Sequence, residues 1–243
     1  MQRFFINETD LTNGQVVFTG DNAQHISRSL RMKAGETVTA IIPGKNMLLC
    51  ELISFTSDTV TARVVETNGI LSESPCKIKV YMALSKSDKL ETVVQKAVEC
   101  GAYSITPFIS SRCIAKAGDS FEKKLDRLNK ISLEAAKQCG RGIVPEVKPI
   151  LSFQQMIKEA SMSEIPLFCY EAEGTEPIGK LLRHDASDIS VVVGSEGGFS
   201  EDEAMLAKEQ GMLLAGLGKR ILRCETAPTF VLSCLSFYYE LSI

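Results

Sequence analysis

From Lys77 onward the sequence alternates between short apolar, β-branched runs and longer segments with apolar residues at helical spacing. This alternation constrains the fold more than any other feature of the chain. Strands that alternate with helices pair in parallel, and the helices then cover the sheet. Lys77–Leu84 reads as a strand. Asp88 with Glu91 gives a capping-box-like helix start, and Leu90, Val93, Val94, Ala97 and Val98 share one apolar face. Gly101 suits the helix stop, and Tyr103–Ile109 is the next strand, completing a βαβ unit. The same reading predicts helices over Phe121–Cys139, Phe153–Ala160 and Ile178–His184. It predicts strands over Leu167–Tyr170, Ile189–Val193 and Leu213–Leu217. Ser200 with Glu203 forms a second capping box, ahead of a helix that Gly211 ends. Thr226–Leu241 is an almost wholly apolar helix, with Pro228 tolerated in its first turn.

The first seventy residues follow another rhythm. Arg3–Ile6, Gln15–Phe18, Glu36–Ile42, Met47–Phe55 and Thr59–Val65 are short β-branched or aromatic runs. Pro43-Gly44-Lys45-Asn46 marks a turn, and one helical insert fits near Asp21–Leu30. Short strands at this spacing predict a small barrel. Thr67–Pro75 has linker composition. The fold expectation is therefore α/β: a small β-barrel over residues 1–70, then a mostly parallel sheet over residues 71–243.

The chain has 243 residues, 44% of them hydrophobic, enough for a real core. No stretch approaches the roughly 18 apolar residues of a membrane span, and the start is too short an apolar run for a signal peptide. The chain reads as soluble and cytoplasmic, with no membrane partner. Its eight cysteines are scattered without a C-x-x-C pair, and it has two histidines, so no metal site is expected. The formal net charge of −3 counts against a strong nonspecific nucleic-acid binder but allows local basic patches.

Two glycine-containing blocks carry the chemistry: Val193–Phe199, reading VGSEGGF, and Leu217–Pro228, reading LGKRILRCETAP. Each follows a strand, where α/β sheets bind ligands. The first block, taken alone, is equally a tight strand-to-helix connection. It fits phosphate poorly, because Glu196 sits mid-loop, and two like charges ~4 Å apart repel by about 4 kcal/mol. There is no G-x-x-x-x-G-K-[ST], and Gly216-Leu217-Gly218 lacks the third glycine of a dinucleotide fingerprint. A neutral or cationic ligand suits the loop better. In the second block Lys219, Arg220, Arg223 and Glu225 crowd together, while Ile221 and Leu222 predict partial burial. An arginine here suits an RNA phosphate or an anionic base.

Both blocks resemble the signature of the SPOUT (α/β-knot) methyltransferases, and in detail the ribosomal RNA small subunit methyltransferase E family. The resemblance runs along nearly the full chain, through His25–Met32, Lys86–Glu91, Gln95-Lys96, Glu99–Gly101, Arg112-Cys113, Lys137–Arg141 and both glycine blocks. The departures are Ser195 for the usual loop proline, Cys100 for leucine, Lys137 for glutamate and Ser29 for valine. The lost proline restores an N–H donor and frees φ.

The resemblance implies a trefoil knot in the second domain, an exception to the unknotted rule, and a PUA-like RNA-binding barrel in the first. It implies S-adenosylmethionine as cofactor, held by Tyr170, Glu171, Gly194, Ser195, Glu196, Gly197, Gly198, Leu217, Gly218, Ile221, Leu222, Arg223 and Thr226. The implied reaction is methylation of uridine N3 in 16S rRNA or the small ribosomal subunit. No histidine lies near the motifs to act as base, so Arg223 is the candidate for holding the anionic uracil. Glu225 is the candidate for orienting it or taking its proton, or else it pairs with Arg220 or caps the last helix. His25, Arg28, Arg31 and Lys33 form the clearest basic cluster for RNA, with Lys86, Lys89, Lys96, Arg112 and Arg141 as further RNA contacts. Lys123, Lys124, Arg127 and Lys130 could contribute as well. A homodimer is expected, because Phe230, Val231, Leu232, Cys234, Leu235, Phe237 and Tyr238 exceed what one core-facing helix side needs. Three rival readings are another SPOUT reaction, on tRNA or a ribose 2′-OH; a non-catalytic RNA-binding assembly factor; and a nucleotide-dependent oxidoreductase.

Overall fold

Alternating burial in the amino-terminal strands produces a six-stranded mixed sheet. The computed structural model describes residues 1–85, 87–114 and 121–242. The chain forms two units: residues 1–73 with 136–144, and residues 74–135 with 145–243. In the first unit the strands are β1 (Arg3–Phe5), β2 (Leu11–Thr12), β3 (Gln15–Phe18), β4 (Thr37–Ile42), β5 (Asn46–Phe55) and β6 (Val60–Gly69). Their order is β1-β4-β5-β6-β3-β2, with β1 and β4 parallel and the other pairs antiparallel. Helix α1 (Gly20–Gln24) continues as one π turn over His25–Ser29, which covers the helix expected there. In β5, Leu48, Cys50 and Leu52 point inward at period two and are fully buried. With Phe4, Phe18, Ile26 and Val38 they fill the core, each large apolar side chain contributing about 1.5–3 kcal/mol. Among the described residues the strand pairing is a path ending at β1 and β2. The two-residue strand β2 has too short a pattern to be seen in sequence.

Residues 136–144 belong to this unit, although they begin in the last turn of the long helix Phe121–Cys139. Gly44 N donates to Gly142 O at 3.1 Å. The Arg141 guanidinium is held by both carboxylate oxygens of Glu73, and Arg141 is 4% exposed. A buried arginine needs such a partner. Arg141 is therefore not presented to RNA, which corrects the expectation for this residue.

The second unit holds eight strands: β7 (Lys77–Ala83), β8 (Ser104–Ile109), β9 (Glu146–Val147), β10 (Leu151–Ser152), β11 (Ile165–Cys169), β12 (Glu176–Pro177), β13 (Asp188–Val193) and β14 (Leu213–Gly216). The order is β10-β8-β7-β13-β11-β14-β12, with β9 beside β8, and every pairing is parallel. Strands β11 and β13 are buried almost throughout, as continuous apolar runs in a sheet covered on both faces should be. The helices are α2 (Ser87–Glu99), α3 (Phe121–Cys139), α4 (Phe153–Ala160), α5 (Ile178–Leu181), α6 (Glu201–Glu209) and α7 (Thr226–Ser236), the last continuing as a π turn over Phe237–Leu241. Asp88 lies inside the first turn of α2 rather than capping it. The short strands β9, β10 and β12 give no sequence signal of their own. Because β13, β11 and β14 are neighbours and run the same way, the loops at their carboxyl ends open side by side.

No helix among the described residues is long and apolar enough to cross a membrane. No cluster of three or more metal-ligating side chains occurs among them either.

Candidate active site

The loops after β11, β13 and β14 enclose a cavity of about 380 Å³ in the second unit, within the range of small-molecule sites. Of the residues assigned to the cofactor from sequence, Tyr170, Glu171, Gly194, Ser195, Glu196, Gly198, Leu217, Gly218, Ile221, Leu222 and Arg223 line it, as does Glu225.

The loop after β13 is fixed from both ends. Phe199 is 2% exposed and stacks among Phe108, Phe153 and Phe168, with its ring 4.2 Å from that of Phe168. Ser200 then caps α6, accepting from Glu203 N, while Glu203 accepts from Ser200 N. Glu203 also accepts from Ser111 N at 2.7 Å, tying in the turn after β8. Between the anchors, Gly198 N donates to Ser195 O at 3.0 Å and Gly198 sits at φ +64°. A Cβ there would lie 2.9 Å from Glu171 Oε1, so this position takes glycine on both conformational and steric grounds.

Gly197 does not line the cavity. A Cβ there would lie 3.1 Å from Arg112 Cβ and 3.2 Å from Arg112 O, and the Arg112 guanidinium donates to Gly197 O at 3.1 Å. Arg112 O in turn accepts from the Ser195 hydroxyl at 3.2 Å. The residue standing where the family pattern has proline thus replaces a ring constraint with a hydrogen bond. Thr226 is also outside the lining, exposed as the first residue of α7.

The second block has no helix or strand between Gly216 and Thr226. Of the two residues that predict partial burial, Leu222 is half-buried, while Ile221 is 86% exposed. The turn is closed by Thr226 N and Ala227 N, which donate to Arg223 O at 2.9 and 3.0 Å. Arg223 itself is exposed at the cavity rim.

Lys89, assigned from sequence to RNA contact, lines this cavity. Helix α2 packs on α7, which carries Lys89 into the cavity wall. Its ammonium lies 3.1 Å from Glu196 Oε1 and 3.5 Å from Glu225 Oε2. Glu225 stands at the N-cap position of α7, but its side chain makes no capping hydrogen bond, and among the described residues its ion pair is with Lys89 rather than Arg220. The Cys224 thiol donates to Glu225 Oε2 at 3.2 Å. Burial, then the bond to Glu225, pushes the Cys224 thiol up to about 12, so it stays protonated. The backbone N–H of Glu225 and the Cys224 thiol hold the Glu225 carboxyl below its ordinary value, and Lys89 adds to this. The hydrogen bond to Glu196 moves the Lys89 ammonium the other way, above its usual range.

Lys89, Arg220 and Arg223 balance Glu171, Glu196 and Glu225 around the cavity. A phosphate cradle would need an excess of positive charge, which this lining lacks. Sequence reasoning missed Lys89, Cys169, Thr175, Val193, Phe199, Gly216, Arg220, Cys224 and Ala227 as lining residues. Arg220 and Cys224 lay inside the recognised block and were within reach of the same reading. The contribution of Lys89 needs the α2–α7 packing.

The other sequence-assigned residues lie apart. In the first unit Arg28, Arg31 and Lys33 are exposed, and Arg31 has φ +53°, unusual for a side-chain-bearing residue. His25 is half-buried with its ring 5.8 Å from that of Phe4. In the second unit Lys96 pairs with Glu99 at 2.7 Å. Lys86 lies outside the described residues.

The chain is similar to known proteins along nearly its whole length. Residues 72–236 match the family model of the RNA methyltransferase domain. The chain is 35% identical to the ribosomal RNA small subunit methyltransferase E of Bacillus subtilis, across 99% of this chain and 98% of that one. The corresponding enzyme of Neisseria gonorrhoeae, solved bound to S-adenosylmethionine, has a TM-score of 0.87, 30% identity and 98% coverage of both chains. A putative methyltransferase of Legionella pneumophila, solved with the same bound cofactor, has a TM-score of 0.86, 29% identity and 97% coverage of both. The chain belongs to the RNA methyltransferases, in the ribosomal RNA small subunit methyltransferase E family.

Proposed function

We propose that this protein uses S-adenosylmethionine to methylate N3 of a uridine in small-subunit rRNA. The observation that carries the reading is the cavity formed by the loops of β11, β13 and β14. It has carboxylates on its walls and an arginine at its rim. The cofactor supplies a methyl group on a sulfonium cation. Carboxylates, with backbone from the glycine blocks, suit such a cation as they do not suit phosphate. Glu171, Glu196, Gly194, Gly198, Leu217 and Leu222 would hold it.

Uracil N3 carries a proton, so the reaction must remove it or stabilise the uracil anion. Arg223 is exposed at the rim and can donate to an anionic base. Glu225 is the nearby carboxylate for orienting the base or accepting its proton. The depressed value of Glu225 keeps it ionised and available, while making it a weaker base.

The same reading makes residues 1–70 a PUA-like barrel that meets RNA through His25, Arg28, Arg31 and Lys33. It makes residues 71–243 a knotted catalytic domain. The exposed Phe237 and Leu241 at the end of α7 favour a homodimer. Such an enzyme works in the cytoplasm, where ribosomes assemble. Mass spectrometry of small-subunit rRNA from cells lacking the protein tests the reading. Loss of one 3-methyluridine, restored in vitro by protein plus S-adenosylmethionine, is expected. An unchanged methyluridine profile would overturn it.

A further inference from the structure

One ammonium joins three separate stretches of chain. Lys89 comes from the first turns of α2. Glu196 is on the loop after β13, and Glu225 immediately precedes α7. The distances of 3.1 and 3.5 Å make Lys89 a bridge between the two glycine blocks. The side chains of Lys89, Glu196 and Glu225 keep 27, 25 and 24% exposure, so solvent only partly screens their charges. Without the ammonium that both contact, the two carboxylates would be left near each other unneutralised, and like charges in one site repel. Lys89 is therefore placed to set how far apart the two walls stand.

We propose, resting on the reading of the cavity given above, that Lys89 is a positioning residue for methyl transfer. Its bridge between Glu196 and Glu225 fixes the cofactor-side loop relative to the segment that carries Arg223 and Glu225. Removing its charge makes the cavity more negative, which does not oppose binding of a sulfonium cation. What is lost is the alignment of the uracil end. The defect therefore falls on turnover rather than on cofactor affinity.

The test compares Lys89→Met and Lys89→Arg with wild type, using the full chain and small ribosomal subunits from cells lacking the protein. Lys89→Met should lower kcat by about a hundredfold, the scale of a small misplacement of reacting groups. Its Kd for S-adenosylmethionine by calorimetry should stay within about threefold of wild type. Lys89→Arg should recover most of the rate. Glu225→Gln should cost less in the Lys89→Met background than alone, because coupled residues are not additive. Wild-type kcat in Lys89→Met overturns the proposal. So does a defect confined to rRNA affinity with a salt slope reduced by about one, which marks a phosphate contact. Parallel loss of kcat, cofactor affinity and thermal midpoint in both variants also overturns it, as a purely structural effect. If wild type itself binds no S-adenosylmethionine, the reading of the cavity fails instead.

Discussion

The first glycine block, Gly194–Phe199, is pinned by a buried phenylalanine, a capping box and two hydrogen bonds to Arg112. The second, Leu217–Glu225, has no regular structure and leaves Ile221 and Arg223 exposed. Under the proposed function the contrast separates two tasks. A wall that fits one small molecule gains from being held rigid before the ligand arrives. A segment that meets a macromolecular substrate must present its side chains outward. Lys89 links the two.

Substitutions should break this comparison in a definite order. Arg223→Met removes the rim cation and should lower kcat by about 10²–10³-fold, with S-adenosylmethionine affinity by calorimetry unchanged. A matching fall in cofactor affinity would put Arg223 on the rigid wall instead. Gly198→Ala should do the reverse, weakening cofactor binding by about tenfold. The left-handed backbone costs a side chain about 1–2 kcal/mol, and the new Cβ would press on Glu171. Binding equal to wild type would show that the first block is not rigid.

Ser195→Ala removes the hydrogen bond to Arg112 O and should cost about 0.5–1.5 kcal/mol in denaturant unfolding. Ser195→Pro should recover part of that if the ring constraint and the hydrogen bond do the same job. Unfolding at several pH values sharpens the second block. The Glu225 carboxyl lies below its ordinary 4.5 in the folded chain, so its contribution is present above that value and is lost as pH falls through the lower folded one. The stability gap between wild type and Glu225→Gln should therefore hold steady above about pH 6 and close in acid. A gap that widened in acid would contradict the depressed value. The smallest effect is expected for Ile221→Ser, which should shift stability by no more than about 0.5 kcal/mol because Ile221 is 86% exposed. Its cofactor affinity should nevertheless fall, since Ile221 lines the cavity.

Strongly periodic segments were legible in the sequence. Helix α3 runs over Phe121–Cys139 and α4 over Phe153–Ala160, as the apolar spacing predicts. The Ser200–Glu203 capping box forms as its residues suggest. The helix expected to reach His184 stops at Leu181, where Leu182 turns extended. Elements of two residues, such as β9 and β10, are defined by their neighbours and carry no period of their own. The site was legible where it is built from contiguous sequence, in the two glycine blocks. The partial burial expected of the second block falls on Leu222 and Cys224 rather than on Ile221, because a side chain lining an open cavity is apolar and exposed at once.

Basic residues show the boundary most clearly. The sequence by itself determined the strand–helix alternation, and hence the parallel sheet, because periodicity and turn chemistry are local properties. It also determined that two glycine blocks each follow a strand. Only the tertiary structure decided where each charge went. Arg141 is buried on Glu73, Arg112 braces the first glycine block, and Lys89 reaches Glu196 and Glu225 from a helix more than a hundred residues earlier. The partner of a charge is set by which elements pack together, and that packing is a property of the whole core rather than of any short stretch of sequence.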